Sequence, residues 1–219
     1  MSTRTPLAPP PARAGRADED AWVRRFGLTE RFAHWWTVLM VAGALLTGLA
    51  MGDEVESGPL LTVHVAAVAA IGAGLLAALV LGNTSALLRA VFRLFTFDRR
   101  DAAWVRDHLV HPFAGRHGAY GMFNPAQKAL AWALTAAVAA VIYTGVQSVG
   151  AGGEDAAGPH AAAVVVAMVL VGAHIFMAVV NPVTRPALAG MVLGRVRRSW
   201  AARHHGGWLE DLDRQRTRR

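Results

Sequence analysis

His160 and His174 stand fourteen residues apart in a stretch, 156–184, that contains no Asp, Glu, Lys or Arg. An α-helix turns about 100° per residue, so this spacing returns to within about 40° of the same face, roughly 21 Å further along the axis. Two imidazoles therefore project from one side of one apolar helix, near its two ends. Ionisable groups inside an apolar span are costly and are usually functional. Imidazole is a good ligand for iron, and two of them at two levels imply two stacked metal centres, for which haem is the obvious group. Iron held by imidazoles on both faces has no open position, which suits electron transfer rather than oxygen binding.

Such ligands need partners on neighbouring helices, and the sequence offers His34 and His64. Windows 32–52, 57–88, 129–153 and 156–184 carry no Asp, Glu, Lys or Arg, and each is long enough for the ~20 apolar residues of a spanning helix. They predict helices near Phe32–Met51, Leu60–Gly82, Ala126–Ser148 and Pro159–Asn181. With 54% hydrophobic and 17% charged residues among 219, the expected fold class is an all-α membrane protein, a four-helix transmembrane bundle with cytoplasmic interfacial segments. The expected division is a polar N-terminal tail over 1–27, the membrane domain over 28–185 with a cytoplasmic loop at 83–125, and a C-terminal tail over 186–219.

Charge sets the orientation. All 22 Lys and Arg fall in the N-terminal segment, the long central connection (with Lys128 at its end) and the C-terminal segment. The other two connections carry Asp53, Glu54, Glu56, Glu154 and Asp155. Basic residues stay on the cytoplasmic side, so both termini are expected in the cytoplasm. The first helix then starts inside with His34, and the second starts outside with His64. The fourth starts outside with His160 and reaches His174 near the inner face. His34 can therefore meet His174, and His64 can meet His160, each pair supplying both axial ligands of one haem between facing helices. A lone intramembrane His is often only a hydrogen-bonding residue between helices; four paired by depth favour ligation. His108, His111, His117, His204 and His205 lie in polar segments and are expected to be solvated or to face a partner.

Other features bound the function. The absence of Cys excludes Cys-ligated iron–sulfur clusters, c-type haem attachment and disulfides within the chain. The first 31 residues, with Pro9, Pro10 and Pro11, lack the apolar core of a cleavable signal. The basic balance of +7 follows from topology, and no nucleic-acid reading module accompanies it. Thr47-Gly48 and Thr144-Gly145 recur at similar depth in the two outward-running helices, where glycine permits close approach of a porphyrin or of a neighbouring helix. Trp35, Trp36 and Trp132 suit the cytoplasmic interface. Leu87–Phe97, with Arg89 and Arg93, and the run Leu188, Met191, Val192 and Val196 both read as helices lying along the membrane surface. The stretch Phe123-Asn124-Pro125-Ala126-Gln127-Lys128 opens the third span, with amides that either cap the helix or bind a carbonyl ligand.

These residues together resemble the cytochrome b (gamma) subunits of membrane-bound formate dehydrogenases, within the wider dihaem cytochrome b561-like group. The resemblance runs from about Arg25 to Asp211. It rests on Arg25-Phe26, Arg31-Phe32-Ala33-His34-Trp35, Thr47-Gly48-Leu49, the Phe123–Lys128 stretch and His174-Ile175-Phe176-Met177-Ala178. The tail, with Gly190-Met191, Gly194-Arg195-Val196, Trp200-Ala201, His204-His205 and Trp208, also fits. The long central loop and the His-His tail point to the formate dehydrogenase branch.

The resemblance implies two b haems, an outer one on His64 and His160 and an inner one on His34 and His174. It implies a quinone pocket (menaquinone or ubiquinone) at Asn124, Ala126 and Gln127 with His174 adjoining. This chain departs from that pattern in having Ala126 where the family has Gly, and Pro125 where it has another residue. The partners implied are an iron–sulfur subunit and a catalytic formate dehydrogenase subunit in the bacterial inner membrane. Electrons would run from the iron–sulfur partner through both haems to the quinone. The chain would be the electron-transferring, quinone-reducing subunit of an oxidoreductase, unable to oxidise formate by itself. Other readings are a dihaem cytochrome b of a hydrogenase, a thiosulfate reductase or a superoxide oxidase, and a non-redox membrane anchor or scaffold.

Overall fold

The computed structural model describes residues 21–52, 58–110, 120–150 and 154–218. Residues 1–20, Asp53, Glu54, Glu56, His111 and His117 lie outside the described residues, as do the side chains of His108, Glu154 and Asp155. In chain order the elements are β1 (Trp22–Arg24), α1 (Leu28–Met51), α2 (Pro59–Leu81), α3 (Thr84–Phe95), α4 (Arg99–Val110), α5 (Pro125–Gly150) and α6 (Glu154–Ile175). A π-helical turn (Phe176–Val180), a 3-10 turn (Arg185–Ala187), α7 (Leu188–Val192), β2 (Arg195–Arg197), α8 (Arg198–His204) and α9 (Gly206–Thr217) complete it.

Four helices, α1, α2, α5 and α6 with its π extension, are long and apolar enough to cross a membrane. Their outward side chains, such as Leu39, Leu76, Val146 and Val169, are exposed, as expected of helices whose apolar surface faces lipid. α1 packs on α2, and α5 on α6, as antiparallel hairpins, whereas among the described residues the backbones of the two hairpins scarcely approach each other. Within the first hairpin the Trp36 indole occupies the groove at Gly74, where a Cβ would lie 2.1 Å from it, and its Nε1–H donates to the Ala70 carbonyl at 2.7 Å. α1 begins four residues before the predicted start and takes in Arg31, whose guanidinium caps the last carbonyls of α7 at Met191 and Val192.

Residues 84–110 of the central connection form α3 and α4, which are anchored. Asn83 caps α3, its side chain accepting from the Ala86 N–H at 3.0 Å. Asp98 and Asp101 cap the start of α4 reciprocally, each carboxylate accepting from the other's backbone N–H. Asp101 also forms a buried ion pair with Lys128 of α5 at 2.5 Å, and the same ammonium donates to the Thr96 carbonyl at 2.9 Å. Trp132 Nε1 donates to the Phe95 carbonyl at 3.2 Å.

Residues 22–26 and the C-terminal segment meet in a folded cap. β1 and β2 pair antiparallel, with Val23 opposite Val196, and their buried faces join Phe26, Met122, Phe123, Trp200, Ala201, Trp208 and Leu209 in one core. The helix predicted through Val196 instead stops at Val192. Gly194 turns the chain at φ +77, where a Cβ would press on the Phe26 carbonyl at 2.9 Å, so Val196 enters a strand and is 0% exposed rather than lying on a membrane surface. Arg25 is buried at the centre, ringed by Phe26, Phe123, Trp200 and Trp208 at 5.3–5.9 Å from each ring centre. Cation–π attraction to four faces offsets part of the cost of burying the charge.

Candidate functional site

The histidines of the spans face one another across the gap between the hairpins. The His34 and His174 ring centres are 6.2 Å apart at 73°, and those of His64 and His160 are 6.4 Å apart at 85°. Two imidazoles each bonded through nitrogen to one metal atom at about 2 Å place their ring centres about 6 Å apart. Both pairs have that spacing, at opposite ends of the spans.

The His64–His160 pair is held by two equivalent clamps, one in each hairpin. His64 Nδ1 lies 2.8 Å from the Ala44 carbonyl and 3.2 Å from Thr47 Oγ1. His160 Nδ1 lies 3.1 Å from the Val141 carbonyl and 3.2 Å from Thr144 Oγ1. Each threonine hydroxyl donates to the carbonyl four residues back, Gly43 at 2.8 Å and Ala140 at 2.7 Å. A carbonyl can only accept, so Nδ1 carries the proton in both rings and Nε2 presents its lone pair. The glycine after each threonine makes room: a Cβ on Gly48 would stand 3.3 Å from His64 Cε1, and one on Gly145 would stand 3.1 Å from His160 Cε1. The Thr-Gly pairs singled out in the sequence thus seat an imidazole. Their recurrence seventeen residues before His64 and sixteen before His160 is the sequence signal of a repeated clamp, but the carbonyl partners Ala44 and Val141 carry no such signal.

The His34–His174 pair differs. Among the described residues, neither His34 nor His174 has a hydrogen-bond partner; His34 lies against the Trp35 ring at 5.2 Å. Trp35 in turn donates to the Met191 carbonyl at 3.0 Å, so the head of α1 is tied to α7. The helix carrying His174 widens into the π turn one residue beyond Ile175, and such turns often mark functional sites.

Asn124 and Gln127 cap α5 reciprocally: Gln127 N–H donates to Asn124 Oδ1 at 2.9 Å, and Asn124 N–H donates to Gln127 Oε1 at 3.0 Å. Both amide oxygens are thereby engaged, and both NH2 groups remain as donors oriented by the box. Ala126 is exposed between them, and His174 ends α6 on the same side of the bundle. The turn before the box is fixed from the cap. Arg25 Nη2 donates to the Met122 carbonyl at 2.7 Å, His205 Nδ1 lies 2.8 Å from the Gly121 carbonyl, and Trp208 N–H donates to Tyr120 at 3.0 Å. The polar sequence around His205 predicts a solvated or partner-facing ring, yet it is 2% exposed. Its partners Arg25 and the Gly121 carbonyl come from segments distant in sequence, which no local pattern reveals. His204 packs on Trp200 at 5.4 Å.

The donor set therefore fits planar groups that take one imidazole on each face: two pairs, ring spacing for a metal atom between them, and an apolar gap. The sequence profile of the family described as prokaryotic cytochrome b561 matches residues 25–194, from the start of α1's anchor to the turn before β2. No curated protein matches the chain.

Proposed function

This chain belongs to the prokaryotic cytochrome b561 family, whose members are membrane cytochromes b that transfer electrons, and we propose that it is the cytochrome b subunit of a formate dehydrogenase complex. His64 with His160 binds an outer b haem, and His34 with His174 an inner one. Bound there, the two haems supply one-electron transfer across the membrane. Electrons enter at the outer face from an iron–sulfur partner subunit and leave at the cytoplasmic face to a quinone. The Asn124 and Gln127 NH2 groups orient the quinone carbonyl beside the inner haem, and the cap holds them in place through the 120–123 turn. The single observation that carries the reading is the double imidazole pairing, at 6.2 Å and 6.4 Å, across a gap between hairpins that do not otherwise pack closely.

The test is purification of the intact complex, with haem content, a reduced-minus-oxidised spectrum and mass spectrometry of its subunits. Two b haems per chain and co-purifying iron–sulfur and formate-oxidising subunits are expected. A hydrogenase or thiosulfate reductase subunit in their place would transfer the chain to another donor. Absence of a haem band from the well-folded protein would leave only a scaffold.

A further inference from the structure

The two imidazole pairs occupy similar spaces but differ in what lies behind the rings. Behind each outer ring a backbone carbonyl accepts from Nδ1, at 2.8 Å for His64 and 3.1 Å for His160, with a threonine oxygen as second acceptor. Behind His34 and His174 the described residues place no acceptor. A hydrogen bond from the far ring nitrogen shifts electron density toward the metal-binding one and makes it a stronger donor. A stronger donor stabilises the oxidised metal over the reduced one, and such outer hydrogen bonding is one of the levers by which proteins tune haem potential. Among the described residues, two such carbonyl bonds act on the His64–His160 pair and none on the His34–His174 pair.

Charge acts in the same direction. Arg31, one turn before His34 on α1, and the other basic residues of the inner side favour the reduced state there.

We infer that Thr47, Thr144 and the Ala44 and Val141 carbonyls, acting through His64 and His160, set the outer centre at a lower midpoint potential than the inner one. The fold itself then gives each electron a downhill step toward the cytoplasm: one electron lost at the outer iron is gained at the inner, with no bond made or broken and no proton moved. The inference rests on the ligand pairing proposed above.

Spectroelectrochemical titration of the purified complex tests it, using His174→Ala to leave the outer haem and His160→Ala to leave the inner. The haem kept in His174→Ala should titrate at the lower of the two native midpoints, and that kept in His160→Ala at the higher. The reverse order overturns the inference. Retention of both haems in either variant instead overturns the ligand pairing. Gly48→Ala and Gly145→Ala push the rings off their carbonyls, and should raise the lower midpoint while the upper stays fixed. Should either lose haem, Thr144→Val, which removes one acceptor with little change of volume, should give the same one-sided rise. A lower midpoint that does not move in these haem-replete variants also overturns it.

Discussion

At the scale of single residues, the outer histidines are interchangeable in their chemistry, since both protonate Nδ1 against a carbonyl and both present Nε2 to the gap. His64→Ala and His160→Ala should therefore have the same effect, each halving the haem content of the purified chain as read by the pyridine haemochrome assay. A quarter loss, or unequal losses, would count against a shared iron. His205 shows the opposite use of an imidazole, as a neutral core group. Burial, and then the neighbouring Arg25 guanidinium, push it from an ordinary 6.5 down to about 3, while burial lowers Arg25 to about 10 and leaves it charged at neutral pH. Between about 3 and 6.5 the unfolded cap takes up a proton that the folded cap refuses. Its contribution to stability is therefore fully present above 6.5 and falls as the pH drops, with a slope of at most about 1.4 kcal/mol per pH unit. Thermal unfolding of the detergent-solubilised protein should shift to lower temperature from pH 6.5 to pH 4, and His205→Phe should flatten that dependence.

At the scale of elements, two joints hold the scaffold. The first is the Trp36–Gly74 contact between α1 and α2. Gly74→Ala inserts a methyl where the indole lies 2.1 Å away, a misfit of the kind that costs about 1–3 kcal/mol. The expected result is a lower melting temperature, partly restored by adding Trp36→Phe. The second is the buried Lys128–Asp101 pair between α4 and α5. Asp101→Ala strands a buried ammonium and should destabilise the protein by about 3–5 kcal/mol, whereas replacing both partners by leucine and methionine should cost far less. Chemical denaturation followed by tryptophan fluorescence distinguishes the two variants. α3, exposed along Leu88, Val91 and Phe92 with Arg89 and Arg93 among them, is positioned by Thr29 of α1, whose hydroxyl oxygen accepts from the Asn83 N–H at 2.8 Å.

At the scale of the whole molecule, the sorting of all 22 basic residues away from two connections puts the inner pair, the Asn124–Gln127 box and the folded cap on one side of the membrane. The orientation proposed for that side is cytoplasmic. A C-terminal fluorescent-protein fusion should glow and a C-terminal alkaline phosphatase fusion should be inactive; the reverse pair of results would invert the direction of electron flow. With the cap inside, moving electrons inward against a potential of 100 mV costs about 2.3 kcal/mol per charge, which the donor reaction must supply. The cap extends past the residues matched by the family profile, yet it grips the turn that orients the candidate quinone box.

The sequence by itself determined the four spans, the depth of each intramembrane histidine and hence which could meet. Hydrophobic length and charge sorting act over whole segments, and helical geometry converts spacing directly into depth. It also marked the Thr-Gly pairs, without showing that they seat imidazoles. Only the tertiary structure decided what stands behind each ring, because Ala44 and Val141 act through backbone carbonyls that every residue type possesses. Only it turned the tails into a cap, because the pairing of residues 22–24 with 195–197 and the burial of Arg25 and His205 bring together segments far apart in the chain. In a polar stretch, each of those residues on its own reads as solvated, and a charged or polar group reveals that it is buried only once the aromatic walls around it have assembled.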